Sequence, residues 1–429
     1  MVDGKHPDRA AIQVGQLERL RTLVEKWVPS NRFYTRKFQA AGLIFEVASL
    51  ADFSARFPFT TKQELVADQS AHPPYGTNLT FPLERYTRFH QTSGTTGTPL
   101  RWLDTPENWE WMVESWMNIF TAAEVGAHDK IYFAFSFGPF IGFWLAFDAG
   151  QKIGALCIPG GGLSSEARLK AIIENQPSVL CCTPTYALRL AEVAARENFP
   201  LEKSFVRKIV VAGEPGGSIP AIRDRLETLW PGAKVFDHHG MTETGPVTYE
   251  CPAQPGVLHV LESAYFAEIV NPQTGTAVLP GEKGELVLTT LGRIGSPVFR
   301  YRTGDLVQAG EGARCVCGRN DLALRGGILG RVDDMFTVRG VNVHPSAVED
   351  VLRRFQEIAE FQATVKVESS LAELSLAIEA DAAFADSKDL ARRIEKDLQM
   401  TFNLRIPVSI VAPGTLPRFE MKAKRWVRA

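Results

Sequence analysis

The chain has 429 residues, 45% hydrophobic and 22% charged, a balance typical of a soluble globular protein with room for two or three domains. Its 47 Lys and Arg nearly cancel 49 Asp and Glu, leaving a net charge of −2, so no general field attracts nucleic acid or an anionic membrane. The start, Met1-Val2-Asp3-Gly4-Lys5, is polar and lacks the apolar core of a secretory signal, so a cytoplasmic protein is expected.

The first hundred residues read as helical and irregular, and they end in Thr92-Ser93-Gly94-Thr95-Thr96-Gly97-Thr98-Pro99. Two glycines let backbone approach an anion there, and four hydroxyl side chains after Thr92 can donate to phosphate oxygens, so the loop suits a polyphosphate. Residues 131–147 are uncharged and rich in Phe, approaching the ~20 apolar residues of a membrane span. Gly138-Pro139 and Gly142 interrupt that run, Ser136 is polar and Asp148 closes it, so a strand, a turn and the start of a buried helix are expected instead. Alternating segments follow, with strands at 155–159, 179–182 and 208–212 and helices at 164–175 and 184–197. This alternation implies a parallel, helix-covered sheet whose strand ends bind ligand.

From Ala264 the pattern changes to β segments at 265–270 and 285–290, separated by the turn Asn271-Pro272-Gln273-Thr274-Gly275. After Gly330, helices at 345–355 and 387–402 and strands at 364–367 and 374–378 make a compact α+β unit. The expected architecture is therefore α/β. A large domain over 1–330 carries helix-covered sheets and a β subdomain, and a small mobile α+β domain covers 331–429.

Four further motifs follow the loop in order. They are His239-Gly240-Met241-Thr242-Glu243-Thr244, Tyr301-Arg302-Thr303-Gly304-Asp305, Gly330-Arg331-Val332-Asp333-Asp334, and Lys422 within Leu416-Pro417-Arg418-Phe419-Glu420-Met421-Lys422-Ala423-Lys424-Arg425. With the loop, this set resembles the adenylate-forming superfamily of acyl-CoA synthetases, adenylation domains and luciferases. The short chain, the ending and Arg339-Gly340-Val341-Asn342-Val343-His344-Pro345-Ser346 make the phenylacetate-CoA ligase branch the closest.

The resemblance implies roles for these residues. Ser93, Gly94, Thr95, Thr96 and Gly97 hold the β and γ phosphates of ATP, and Glu243 helps bind Mg²⁺. Gly213, Glu214 and Pro215 line adenine, and Asp237, His238, His239, Gly240, Met241 and Thr242 flank the nucleotide. Asp305 accepts the ribose hydroxyls, with Arg331 near the same sugar, while Lys422 bridges the substrate carboxylate and the α-phosphate. Lys424 is the rival for that lysine role. Asp333 is the hinge of the small domain, and the backbone of Gly340 borders the pantetheine tunnel of CoA. The catalytic set implied is Lys422, Glu243, Thr242 and Arg331. Two residues depart from the pattern: Thr98 stands in place of a lysine, and His239 in place of an aromatic residue that stacks on adenine.

Cys251, His259, Cys315 and Cys317 offer three thiolates and an imidazole, the donors of a closed structural Zn²⁺ site, and similar cysteine sets occur in the branch. Phe135, Phe137 and Phe140, with Gly240, fall where the branch lines its acyl pocket, so an aromatic or otherwise apolar acid is the expected substrate. The function expected is ATP-dependent ligation of a carboxylic acid to CoA through an acyl-adenylate, releasing AMP and pyrophosphate. Transfer to an amine or a carrier-protein thiol is the alternative acceptor chemistry, and an inactive nucleotide- or acyl-binding protein is the alternative of another class. The expected partners are small molecules, with neither nucleic acid nor membrane, and the resemblance implies a homodimer.

Overall fold

The computed structural model describes residues 6–92, 98–312, 314–332, 334, 336–338, 341–368, 371–381, 387–419 and 424–428. Its centre is a five-stranded parallel sheet. Helix α1 (Pro106–Ala122) precedes strand β1 (Lys130–Phe133), helix α2 (Ile141–Lys152) follows it, and strands β2 (Leu156–Pro159), β3 (Val179–Cys182), β4 (Lys208–Val211) and β5 (Lys234–Asp237) complete the sheet in the order β2-β1-β3-β4-β5. Helices α1 and α2 pack on one face, with Trp116, Leu145 and Ala149 buried against Phe133, Cys181 and Val210. Helices Ser165–Asn175, Pro184–Arg196 and Pro220–Leu229 cover the other face through Leu169, Tyr186, Leu190 and Leu226.

Local chemistry starts these helices where the sequence marks them. Thr105, Ser164 and Thr183 each stand at an N-cap and accept from the backbone N–H of Asn108, Ala167 and Tyr186, and proline follows at the first helical position after Thr105 and Thr183. Residues 131–147 divide as expected into strand, turn and helix start. Among the described residues no helix is long and apolar enough to cross a membrane.

Two antiparallel sheets follow. Thr248–Glu250, Val257–Val260 and Ala323–Arg325 form one, and Tyr265–Val270, Lys283–Thr290, Tyr301–Gln308 and Gly330–Arg331 form the other. The C-terminal unit has its own six-stranded sheet and its own core, with Val348, Leu352, Leu390, Ile394 and Leu398 of helices Pro345–Arg353 and Ser387–Phe402 packed on Phe361, Leu376 and Ile378. Its central strands exceed the expected 364–367 and 374–378. They run Ile358–Glu368 and Leu371–Ala380, because the two pair along nearly their whole length as one hairpin. The helix expected over 345–355 ends at Arg353, where Phe355 turns its N–H to the Leu352 carbonyl and buries its ring.

Candidate active site

The described motif residues Glu243, Asp305, Arg331 and His239 converge at the carboxyl ends of β4 and β5, beside the strand Tyr301–Gln308. Asp305 and Arg331 are register partners on neighbouring antiparallel strands. Arg331 Nη1 donates to Asp305 Oδ1 at 3.2 Å and to the Thr303 carbonyl at 2.8 Å. Gly304, with φ of 75°, makes room for it, since a Cβ there would lie 2.5 Å from Arg331 Nη2. On the opposite side His239 Nε2 lies 2.9 Å from Asp305 Oδ2. Burial works to raise the Asp305 carboxyl, but His239 and Arg331 outweigh it, and the group sits below its ordinary value. The His239 imidazole, expected beside adenine, therefore contacts Asp305, the carboxylate expected to accept the ribose hydroxyls.

Glu243 lies on the turn of a short hairpin, Gly240–Met241 with Gly245–Pro246. The hairpin is tight, and a Cβ on Gly240 would come within 2.8 Å of the Gly245 carbonyl oxygen. Glu243 is buried, accepts from the Tyr301 hydroxyl at 3.2 Å through Oε1, and has Lys62 Nζ 3.5 Å from the same oxygen. The hairpin is braced by Arg293, which donates to the Thr242 carbonyl at 2.7 Å and is paired with Asp104 at 2.6 Å, both side chains fully buried. Tyr265 donates to the Thr244 carbonyl at 2.9 Å.

Glu214 accepts from the Thr185 N–H at 2.9 Å, which fixes the Gly213-Glu214-Pro215 turn to the start of helix Pro184–Arg196. Gly213 and Pro215 are exposed on its rim. Asp237 accepts from Ser218 Oγ at 2.5 Å, and burial pushes its carboxyl up to about 6. Next to it, His238 turns to the α1 face and meets the Trp116 ring edge-on at 4.3 Å.

The aromatic run forms a contiguous cluster beside these groups. Phe135 stacks on Phe143 at 4.0 Å, Phe137 packs edge-on against Trp144 at 5.0 Å, and Phe140 meets Phe143 at 6.3 Å. Trp144 Nε1 donates to the Gly138 carbonyl at 2.9 Å, and the Gln91 N–H donates to the Pro139 carbonyl, which ties strand Arg88–Gln91 to this segment.

The structure thus brings together Glu243, Asp305, Arg331, His239 and the Gly240–Met241 hairpin. Ser93, Gly94, Thr95, Thr96, Gly97, Asp333, Gly340 and Lys422 lie outside the described residues. Lys424 is described and exposed. Sequence reading missed Lys62, Arg293 and Asp104. The only local signal at Lys62 was the Thr61 and Glu64 capping box at its helix start, and the bridge between Thr60 and Tyr301 carries that helix end to Glu243.

Cys251, His259, Cys315 and Cys317 do converge, with one ligand atom from each lying within 4.8 Å of all the others. Cys251 Sγ is 3.6 Å from Cys315 Sγ, and Cys317 Sγ is 3.5 Å from His259 Nε2. These separations match the edges of a tetrahedron with metal–sulfur bonds of about 2.3 Å. His259 Nδ1 lies 3.2 Å from the Asp321 carbonyl, the outer contact that leaves Nε2 free to ligate.

A family model for AMP-binding enzymes matches residues 89–292, and a second, for the AMP-binding enzyme C-terminal domain, matches residues 340–428. The chain is 33% identical to a phenylacetate-coenzyme A ligase of Escherichia coli strain K12, with 96% of this chain and 94% of the relative covered. It is 31% identical to that of Thermus thermophilus, over 96% and 94%. Among solved structures, a 2-hydroxyisobutyryl-CoA ligase in its postadenylation state superposes with a TM-score of 0.93 at 27% identity, over 100% of this chain and 93% of the other. The same ligase in its thioesterification state gives 0.71 at 28% identity, again over 100% and 93%.

Proposed function

The chain belongs to the AMP-binding enzyme family, within its phenylacetate-coenzyme A ligase branch, and is an AMP-forming acid-CoA ligase; on that premise we propose that its acid is aromatic, of the arylacetate or benzoate type. The observation that carries this reading is the packing of α2, whose Phe143 stacks on Phe135, against the Gly240–Met241 and Gly245–Pro246 hairpin that carries Glu243.

In the first step an oxygen of the substrate carboxylate attacks the α-phosphorus of ATP, the bond to pyrophosphate breaks, and an acyl-adenylate forms. Two anions must be aligned against their repulsion, so charge placement carries most of the catalysis. Asp305 accepts the ribose hydroxyls, and the 213–215 turn borders the base. The loop at 93–97 receives the β and γ phosphates, and Lys422 bridges carboxylate and α-phosphate. Glu243 would hold Mg²⁺, which when bound supplies positive charge to the phosphate oxygens; one buried carboxylate beside those oxygens suits that ion. Lys62 adds a cation to the same corner. In the second step the CoA sulfur attacks the acyl carbon, its proton leaves and AMP departs. The contrast between the two superpositions supports an adenylating orientation here, with the small unit turning at Asp333 to bring Gly340 to the thiol.

The three thiolates and one imidazole would hold a structural Zn²⁺ that ties the loop at 315–317 to strand Val257–Val260. Close to one zinc per chain after gentle purification is the expected result, and a zinc-free folded protein removes the assignment. The same reading places the reaction in the cytoplasm, where thiols stay reduced.

The test is acid-dependent pyrophosphate release over a panel of aromatic and aliphatic acids, with and without CoA, with products identified by mass. An acyl-CoA product with aromatic acids is expected. Acyl-AMP that CoA does not consume would move the acceptor to an amine or a carrier thiol.

A further inference from the structure

Strand register places His238 in the layer of the acyl pocket. Phe133 pairs with Cys181, Cys181 with Val210 and Val210 with Phe236, a row running across the sheet on the face covered by α1 and α2. Side chains alternate along strands, so the next row on that face, two residues nearer the carboxyl edge, holds Phe135, Ala212 and His238. The ladder reaches that far, because the N–H groups of Ala134, Ala212 and His238 still donate to Cys181, Cys182 and Val211. Phe135 opens the aromatic cluster of the pocket, and the carboxyl edge of a parallel sheet is where ligands enter.

In that layer His238 is 6% exposed, and neither ring nitrogen has a hydrogen-bond partner among the described residues. Trp116, edge-on at 4.3 Å, covers one flank but offers no answer to both a lone pair and an N–H. Burial lowers the His238 imidazole to about 3, so it stays neutral and presents one donor and one acceptor. Buried polar groups are otherwise satisfied in folded proteins, and a ring unsatisfied at both nitrogens, in the row that carries Phe135 at the carboxyl edge of the sheet, calls for a partner that arrives with the substrate. A hydroxyl, which both donates and accepts, is the simplest group that fits.

We propose that His238 is the polar contact of the acyl pocket and that the natural acid carries a hydroxyl on its acyl part, hydrogen-bonded to a His238 ring nitrogen. This rests on the acid-CoA ligase reading and narrows it from aromatic acids to hydroxylated ones.

The test compares kcat/KM for pyrophosphate release with phenylacetate and its 2-, 3- and 4-hydroxy derivatives, in the wild type and in His238→Ile and His238→Asn. A site built to bond a hydroxyl rejects the analogue lacking it strongly, so a preference of about 100-fold or more for one hydroxylated isomer is expected in the wild type. His238→Ile should erase that preference, lowering kcat/KM for the hydroxylated acid by about 100-fold and for phenylacetate far less. His238→Asn, which keeps a donor and an acceptor, should retain part of it. Thermal midpoints of both variants separate misfolding from lost recognition. Equal use of phenylacetate and every hydroxylated acid by the wild type would overturn the assignment, as would an equal loss on all acids in both variants. Pyrophosphate release with no acid at all would instead overturn the ligase reading, and this one with it.

Discussion

The two halves of the cleft treat their polar groups in opposite ways. On the side proposed for the nucleotide, Asp305 and Glu243 already have partners within the protein, Asp305 in His239 and Arg331, and Glu243 in Tyr301 and Lys62. On the proposed acyl side the rings of Phe135, Phe137 and Phe143 pack on one another, and His238, in the same row of the sheet and covered by Trp116, has nitrogens with no partner among the described residues. The first half holds its charges ready and exchanges partners when ligand arrives, so it is preorganised for a fixed cosubstrate. The second leaves a requirement for the substrate to fill, so it selects. Affinity for ATP and choice of acid should therefore respond to different mutations.

Asp305→Ala gives the largest expected break between the two. It removes the acceptor proposed for the ribose hydroxyls and leaves Arg331 and His239 without the anion between them. Pyrophosphate release should fall by about 10²–10³-fold, the scale of losing one charge-placing group, while the ranking of acids stays unchanged. A changed ranking would show that the halves are coupled.

Lys62→Met sharpens the same contrast with a smaller effect. The ammonium is partly exposed and 3.5 Å from Glu243, so screening weakens it, and roughly a tenfold fall in kcat/KM for ATP is expected with little change for the acid. A lowered affinity for the acid instead would place Lys62 on the acyl side.

What the sequence made legible was whatever is local. The N-cap threonines at 105 and 183, the apolar strand runs and the strand-end glycine at 213 announced the parallel sheet, because capping and burial act over a few residues. The motif residues Glu243, Asp305 and Arg331 were legible through resemblance. The pairings that govern the site were not. Lys62 meets Glu243, and Arg293 meets Asp104, across long stretches of chain that only the folded sheet brings together. His239 was expected to stack on a base, and its contact with Asp305 depends on how a hairpin lies beside a strand that begins some sixty residues later. The orphaned nitrogens of His238 follow from which face of β5 that residue takes, a register property set by four other strands.

The smallest expected effect concerns stability rather than rate, and it separates the two aspartates of the nucleotide half. Asp305 is held below its ordinary value, whereas Asp237 is raised from 3.8 to about 6 by burial, against the pull of Ser218 and Arg223. A carboxyl raised on folding binds its proton more tightly in the folded state, so its stabilising contribution is full below about 4, is lost as pH climbs to about 6, and is flat beyond. Asparagine resembles the protonated acid and keeps an acceptor for the Ser218 hydroxyl, so Asp237→Asn should remove that slope. Its thermal midpoint should match the wild type near pH 4 and exceed it by roughly 2–6 °C at pH 8, since a rise from 3.8 to about 6 is worth about 3 kcal/mol and 1 kcal/mol moves the midpoint of a domain this size by about 1–2 °C. Glu250, pushed up to about 7 by burial and in part by Asp237, remains in both proteins, so the difference between the two melting curves reports Asp237 together with its coupling to Glu250. A midpoint that falls at pH 8 would mean that the ionised carboxylate is the form the fold requires, held there by Arg223, and the acidic edge would then be compensated throughout.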